Sequence, residues 1–199
     1  MGSYYYLMAQ LPFLIYEQKP HISSDAFKSM AESLMDKEDS KLLEHLSLDP
    51  DPIKAGEGPS YAEAPPSTGC DFIDGWREWE RTLRLNLAKY RAIHTKRENT
   101  SALEPPYMPV DAVAAAVKAV TGDSSPLDAE ILIDKARWNA IDTLAGNDYF
   151  TRNSVFAYFL KLLLIERRQA FNVDKGFSEY KSLYAEIIES AHNSLGVPK

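Results

Sequence analysis

The chain has 199 residues, 45% of them apolar and 26% charged, the balance of a water-soluble globular protein of one domain or two small ones. Lys and Arg number 22 against 29 Asp and Glu, and the resulting charge of −7 argues against a nucleic-acid-binding surface and against docking on anionic lipid. A single cysteine, Cys70, excludes an intramolecular disulfide and a cysteine-based zinc site within one chain.

The opening run, MGSYYYLMAQLPFLIY, is apolar but has no early Lys or Arg and no small-residue cleavage site, so it reads poorly as an export signal. Tyr6 stands where a myristoylation pattern needs Ser or Thr. Tyr4 to Leu7 is the one candidate strand and could equally be helical. Three successive tyrosines cannot all face one core, so at least one belongs on a surface, where tyrosine favours protein contacts.

Ser24 is the expected N-cap of a short helix ending near Met35, with Phe27, Met30, Ala31 and Leu34 on one face. Asp36 is expected to cap a second, carrying Leu42, Leu43 and Leu46. Asp49 to Gly69 holds five of the twelve prolines and reads as a long loop. Phe72, Trp76, Trp79, Leu83, Leu87, Tyr90 and Ile93 then recur at spacings of three and four, predicting a long amphipathic helix to about Arg97.

Asn99 to Pro109 holds three more prolines and is non-helical, since proline lacks the donor and clashes with the preceding turn. Asp111 caps the next helix, which stops at Thr121-Gly122. Pro126 opens another, with Ile131, Trp138, Ile141 and Ala145 inward and Gly146 beyond its end. Thr151 or Ser154 begins the most apolar helix, burying Phe156, Phe159, Leu160, Leu163 and Leu164 and closing on Arg167-Arg168 against the helix dipole. Its apolar run, Val155 to Ile165, is too short to span a bilayer. A last helix groups Phe177, Tyr180, Tyr184, Ile187, Ile188 and Ala191.

The expected fold is therefore all-α: a multi-helix bundle with a long central helix and two proline-rich loops. Residues 1–199 form a single helical domain or two lobes, 1–47 with 72–98 and 110–196, with loops at 48–71 and 99–109.

No phosphate-binding glycine loop, zinc-protease, nucleophile-elbow or calcium-loop motif is present. Glu189-x-x-His192 has the spacing of carboxylate-bridged di-metal bundles, but such a site needs a second copy, and the chain has none. Glu78 and Glu80, beside Trp76 and Trp79, point about 200° apart on a helix and cannot converge as a catalytic pair, so both are assigned to an exposed face. Cys70 is expected to be a plain surface thiol. The residues thus supply no catalytic, cofactor-binding or metal-binding set, and no small-molecule substrate is expected.

Two segments resemble a bacterial family encoded in operons for V-type (A/V-type) ATPases. They are the opening SYYYLMAQLPFL and the stretch Asp148 to Gly176, with Tyr149-Phe150, Ala157-Tyr158, Lys161-Leu162, Glu166-Arg167 and Lys175-Gly176. The resemblance implies a helical, non-catalytic partner of the other V-type ATPase components, a C-subunit-like central-stalk socket that joins rotor shaft to membrane ring. It further implies a cytoplasmic location, peripheral to the inner membrane through protein contacts. An assembly or regulatory adaptor is the competing expectation, and an enzyme with an unrecognised helical site a remote third.

Overall fold

The computed structural model describes residues 4–48, 66–96, 105–122, 125–170 and 173–194, and for 173–177, 189 and 191–194 the backbone alone. Among these residues the chain is all-α, with eight helices and no strand. They are α1 (Tyr5–Gln10), α2 (Ser24–Leu34), α3 (Lys37–Leu43), α4 (Asp71–His94), α5 (Val110–Thr121), α6 (Pro126–Ala145), α7 (Arg152–Ala170) and α8 (Val173–Ser194). None is long and apolar enough to cross a membrane. Most of the proline-rich expectations, residues 49–65 and 99–104, lie outside the described residues.

Helix α4 is the long central helix. It buries Phe72, Trp76, Trp79, Leu83 and Leu87, while Tyr90 is half-buried and Ile93 exposed as the helix runs past the core. Its partners are α5 and α6, and α6 also packs on α7. The buried residues of α5, which packs on both α4 and α6, are Ala112, Ala115 and Ala116, whose small side chains let helix backbones approach closely. Gly75 does the same toward α6, where a Cβ would stand 2.8 Å from Leu144 Cδ2.

Helix α7 packs on α6 and α2. Val155, Phe156, Phe159, Leu160, Leu162, Leu164 and Ile165 are all buried, so it is apolar around most of its circumference, as a helix covered on several sides must be. Phe27 of α2 stacks on Phe159 and Tyr158, with ring centres 5.6 and 5.3 Å away. Buried side chains from Tyr4 to Ile165 form one cluster.

Several helix boundaries follow local chemistry. Ser23, one residue before the expected Ser24, caps α2 by accepting from Ala26 N, and Ser24 N instead donates to Glu166 of α7. Asp36 occupies the N-cap position of α3 without capping it, because its carboxylate accepts from the Tyr4 hydroxyl. Pro109 precedes α5, and Asp111 sits in the first turn, where its carboxylate accepts from Trp79 Nε1 at 2.8 Å. Ser125 and Asp128 form a reciprocal capping box on α6.

Gly146 ends α6 at φ 75°, ψ −162°, a region essentially confined to glycine. Gly146→Ala is expected to cost about 1–3 kcal/mol through backbone strain alone, since no atom would crowd the new methyl. Urea denaturation reads this as a lowered midpoint with an unchanged slope.

The segment between α1 and α2 is held onto α6 and α7 by a ladder of rings and cations. Arg168 lies 4.6 Å from the Tyr16 ring, Tyr16 meets Trp138 edge-on at 5.6 Å, and Lys161 lies 4.6 Å from Trp138 while pairing with Asp142. Tyr158 donates to Pro12 O at 2.9 Å, and burial pushes its hydroxyl up to about 12. The Arg167-Arg168 pair thus does more than complement a dipole: Arg167 pairs with Glu130, and Arg168 clamps Tyr16.

Candidate interaction surface

Charged groups inside the bundle are the first place to look for chemistry. Glu80 is not on an exposed face. It is buried in α4 and accepts from Arg137 Nε and Nη2 of α6, at 3.0 and 2.7 Å, and from Arg84 Nε at 2.6 Å. Arg137 is equally buried and donates through Nη1 to Asp134 at 2.9 Å, while Arg84 Nη2 donates to Leu48 O.

Burial pushes the Glu80 carboxyl up, but the charges and hydrogen bonds of Arg137 and Arg84 outweigh it and hold the group below the ordinary carboxylate range. Both Glu80 oxygens and three Arg137 nitrogens are spent on one another and on Asp134. The cluster is a closed interhelical lock that ties α4 to α6. Glu78 is half-exposed and pairs with Arg81, so the two glutamates remain divergent, as their spacing requires.

The sequence offered one sign of this lock. Glu80 falls in phase with Trp76, Leu83 and Leu87, and Asp134 and Arg137 in phase with Ile141. A charge on the inward stripe of a helix needs a partner there, but which helix supplies it cannot be read from spacing.

A cavity of about 330 Å³ opens among the starts of α3, α4 and α7, lined by Asp36, Glu38, Asp39, Asp71, Phe72, Thr151, Arg152 and Asn153. Asp39 accepts from Tyr4 Oη at 2.6 Å and from Arg152 Nη1 at 3.3 Å. Burial, and then donation to Asp39, push the Tyr4 hydroxyl well above its ordinary value, so it remains a donor. These contacts fasten α1 and α7 to α3.

Cys70 is buried just before α4, in contrast to the expected surface thiol. The turn preceding it is folded over by Asp74, which accepts from Thr68 N and from the Ser67 and Thr68 hydroxyls. His21, His45 and His94 are exposed. Glu189 and His192 have side chains outside the described residues. Among the described residues no group of three or more His, Cys, Asp or Glu is gathered to hold a metal ion.

Exposed apolar side chains tell more. Tyr4 is buried, whereas Tyr5 and Tyr6 are exposed, as three successive tyrosines required. Tyr5 stands 4.5 Å from Phe150, next to exposed Tyr149, and Tyr4 N donates to Phe150 O, so the two segments carrying the family resemblance meet in one aromatic patch. Between α4 and α5, Tyr107 and Met108 are exposed on a loop held from beneath by buried Thr82, bonded to Met108 O, and Asn86, bonded to Pro106 O, and Val110 is exposed at the start of α5.

A further such surface is on α8. Tyr180, Leu183, Tyr184 and Ile187 are 62%, 59%, 56% and 64% exposed, with Ile188 at 40%. Their spacing is that of a buried helix stripe, and Tyr180 and Tyr184 stack at 6.1 Å, yet no described α8 side chain belongs to the core cluster. The described residues leave this apolar stripe uncovered.

A family model described as "Protein of unknown function (DUF2764)" matches residues 116–191, from the middle of α5 into the last turn of α8. The matched stretch is less than half of the chain and includes the exposed face of α8. No curated protein and no solved structure is similar to the chain.

Proposed function

We propose that the chain is a non-catalytic, protein-binding component of a bacterial V-type ATPase, either a structural component similar to the central-stalk socket or an accessory protein. The observation that carries the protein-binding part is the exposed Tyr180, Leu183, Tyr184, Ile187 stripe of α8. The aromatic patch of Tyr5, Tyr149 and Phe150 is a second exposed apolar surface. The non-catalytic part is supported by Glu80, Asp134, Arg137 and Arg84, two carboxylates and two guanidinium groups that pair with one another. Assignment to the ATPase rests on the family-like runs at the N-terminus and at Asp148 to Gly176.

The test is to tag the protein at its native locus, solubilise membranes gently and weigh the purified assembly by native mass spectrometry. A stoichiometric copy beside the catalytic subunits and rotor shaft is the expected result. Substoichiometric recovery would favour an assembly or regulatory adaptor. A free monomer, without ATPase subunits even after crosslinking, would overturn the assignment.

A further inference from the structure

We propose that the aromatic patch of Tyr5, Tyr149 and Phe150 docks a segment of another protein, one arginine of which enters the acidic recess beside the patch. The inference rests on the protein-binding reading above and names the chemistry of the partner.

Tyr4 joins patch and recess. Its backbone N–H donates to Phe150 O at 2.7 Å on the patch side, and its hydroxyl meets Asp39 at 2.6 Å and Asp36 at 3.3 Å on the recess side. Tyr5 follows Tyr4 in the chain and lies 4.5 Å from Phe150. Thr151, Arg152 and Asn153, which line the recess, follow Phe150 directly. A side chain lying across Tyr5 and Phe150 therefore has its chain neighbour beside the carboxylates.

The charge of the recess selects that neighbour. Asp36, Glu38, Asp39 and Asp71 line it against one cation, Arg152, which Asp39 already holds at 3.3 Å. The starts of α3, α4 and α7 add roughly half a positive charge each, which still leaves the recess negative. Asp39 is occupied by Tyr4 and Arg152, whereas Glu38 and Asp71 are exposed and have no hydrogen-bond or ion-pair partner among the described residues.

At about 330 Å³ the recess is at the lower end of ligand-sized cavities, room for one long side chain. Arginine suits it better than lysine, because the planar guanidinium can bond two acceptors at once and stack on an aromatic face. A second copy of the chain would bring another charge of −7 to a negative surface.

Three short peptides, with Gly and Ser around the cores Leu-Arg-Leu, Leu-Gln-Leu and Ser-Arg-Ser, would be titrated into the isotope-labelled full chain and followed by NMR. Leu-Arg-Leu should bind at least about tenfold tighter than either of the others, with shifts gathered at residues 4–5, 36–39, 71 and 149–153. Glu38→Gln with Asp71→Asn should remove the preference over Leu-Gln-Leu, and Tyr5→Ser the preference over Ser-Arg-Ser. These side chains are exposed, and circular dichroism checks that the variants fold. Glu179→Gln with Glu186→Gln removes the same charge on α8 and should leave binding unchanged, an outcome that general attraction to an acidic protein would not give.

Equal binding of the Arg and Gln peptides, a preference that survives Glu38→Gln with Asp71→Asn, or shifts gathered elsewhere would overturn the proposal. So would a dimer in light scattering that Tyr5→Ser dissociates, since a second copy would then cover the patch. The two readings fail separately: arginine-peptide binding without recovery of ATPase subunits sinks only the ATPase assignment. A stoichiometric component that ignores the arginine peptide sinks only the inference about the patch.

Discussion

Arg137→Met should destabilise the protein by about 3–5 kcal/mol, the usual loss when one member of a buried ion pair is removed and the other is left behind. Arg137 is bonded to both Glu80 and Asp134, and all three are buried. Removing it strips two of the three hydrogen bonds that Glu80 accepts and the bond that Asp134 accepts. Arg84 would still reach Glu80, so the loss should lie below the sum of two orphaned carboxylates. Replacing the triad together, with Leu at 80 and 134 and Met at 137, should recover much of the loss, because apolar side chains of similar volume owe no desolvation penalty.

The same cluster sets a pH dependence. Glu80 titrates lower in the folded chain than its ordinary value near 4.5, because its arginine partners overcome the effect of burial. Its contribution is therefore complete above the unfolded value and is lost as the pH falls through the folded one. Wild type should begin to lose stability below about pH 4.5. Arg137→Met has already lost most of that contribution, so the gap between wild type and variant should narrow on acidification. Chemical denaturation at pH 7 and at pH 4 measures both; a gap that widened on acidification would place the stabilising interaction elsewhere.

Much of the helical frame was legible because it depends on local periodicity. The α4 stripe, the apolar α7 run and the Gly146 stop each follow from residues within a turn or two of one another. What stayed hidden depends on distance in the chain. Glu80 and Arg137 are separated by 57 positions, and only their inward phase hinted that they were not solvated. Cys70 looked exposed because it borders a proline-rich run, yet the Ser67–Thr68–Asp74 turn folds it under the start of α4. Periodicity also reports an apolar stripe without saying what covers it. The α7 stripe is covered by its own chain, whereas the α8 stripe, with the same spacing, faces outward.

Leu160→Asp and Ile187→Asp turn that difference into a measurement. Leu160 is fully buried at the middle of α7, on a helix packed against both α2 and α6. An aspartate there would bury a charge among apolar side chains or force the helix apart, a cost of about 4 kcal/mol or more, against a typical total stability of ~5–15 kcal/mol. Thermal melts should show a fall of many degrees or no cooperative transition. Ile187 is 64% exposed, so the same substitution should change stability by no more than about 0.5 kcal/mol. If Leu160→Asp melted like wild type, Leu160 would not lie in the core. If Ile187→Asp cost as much as Leu160→Asp, α8 would be packing on its own chain in solution, and the surface that carries the proposed function would be lost with it.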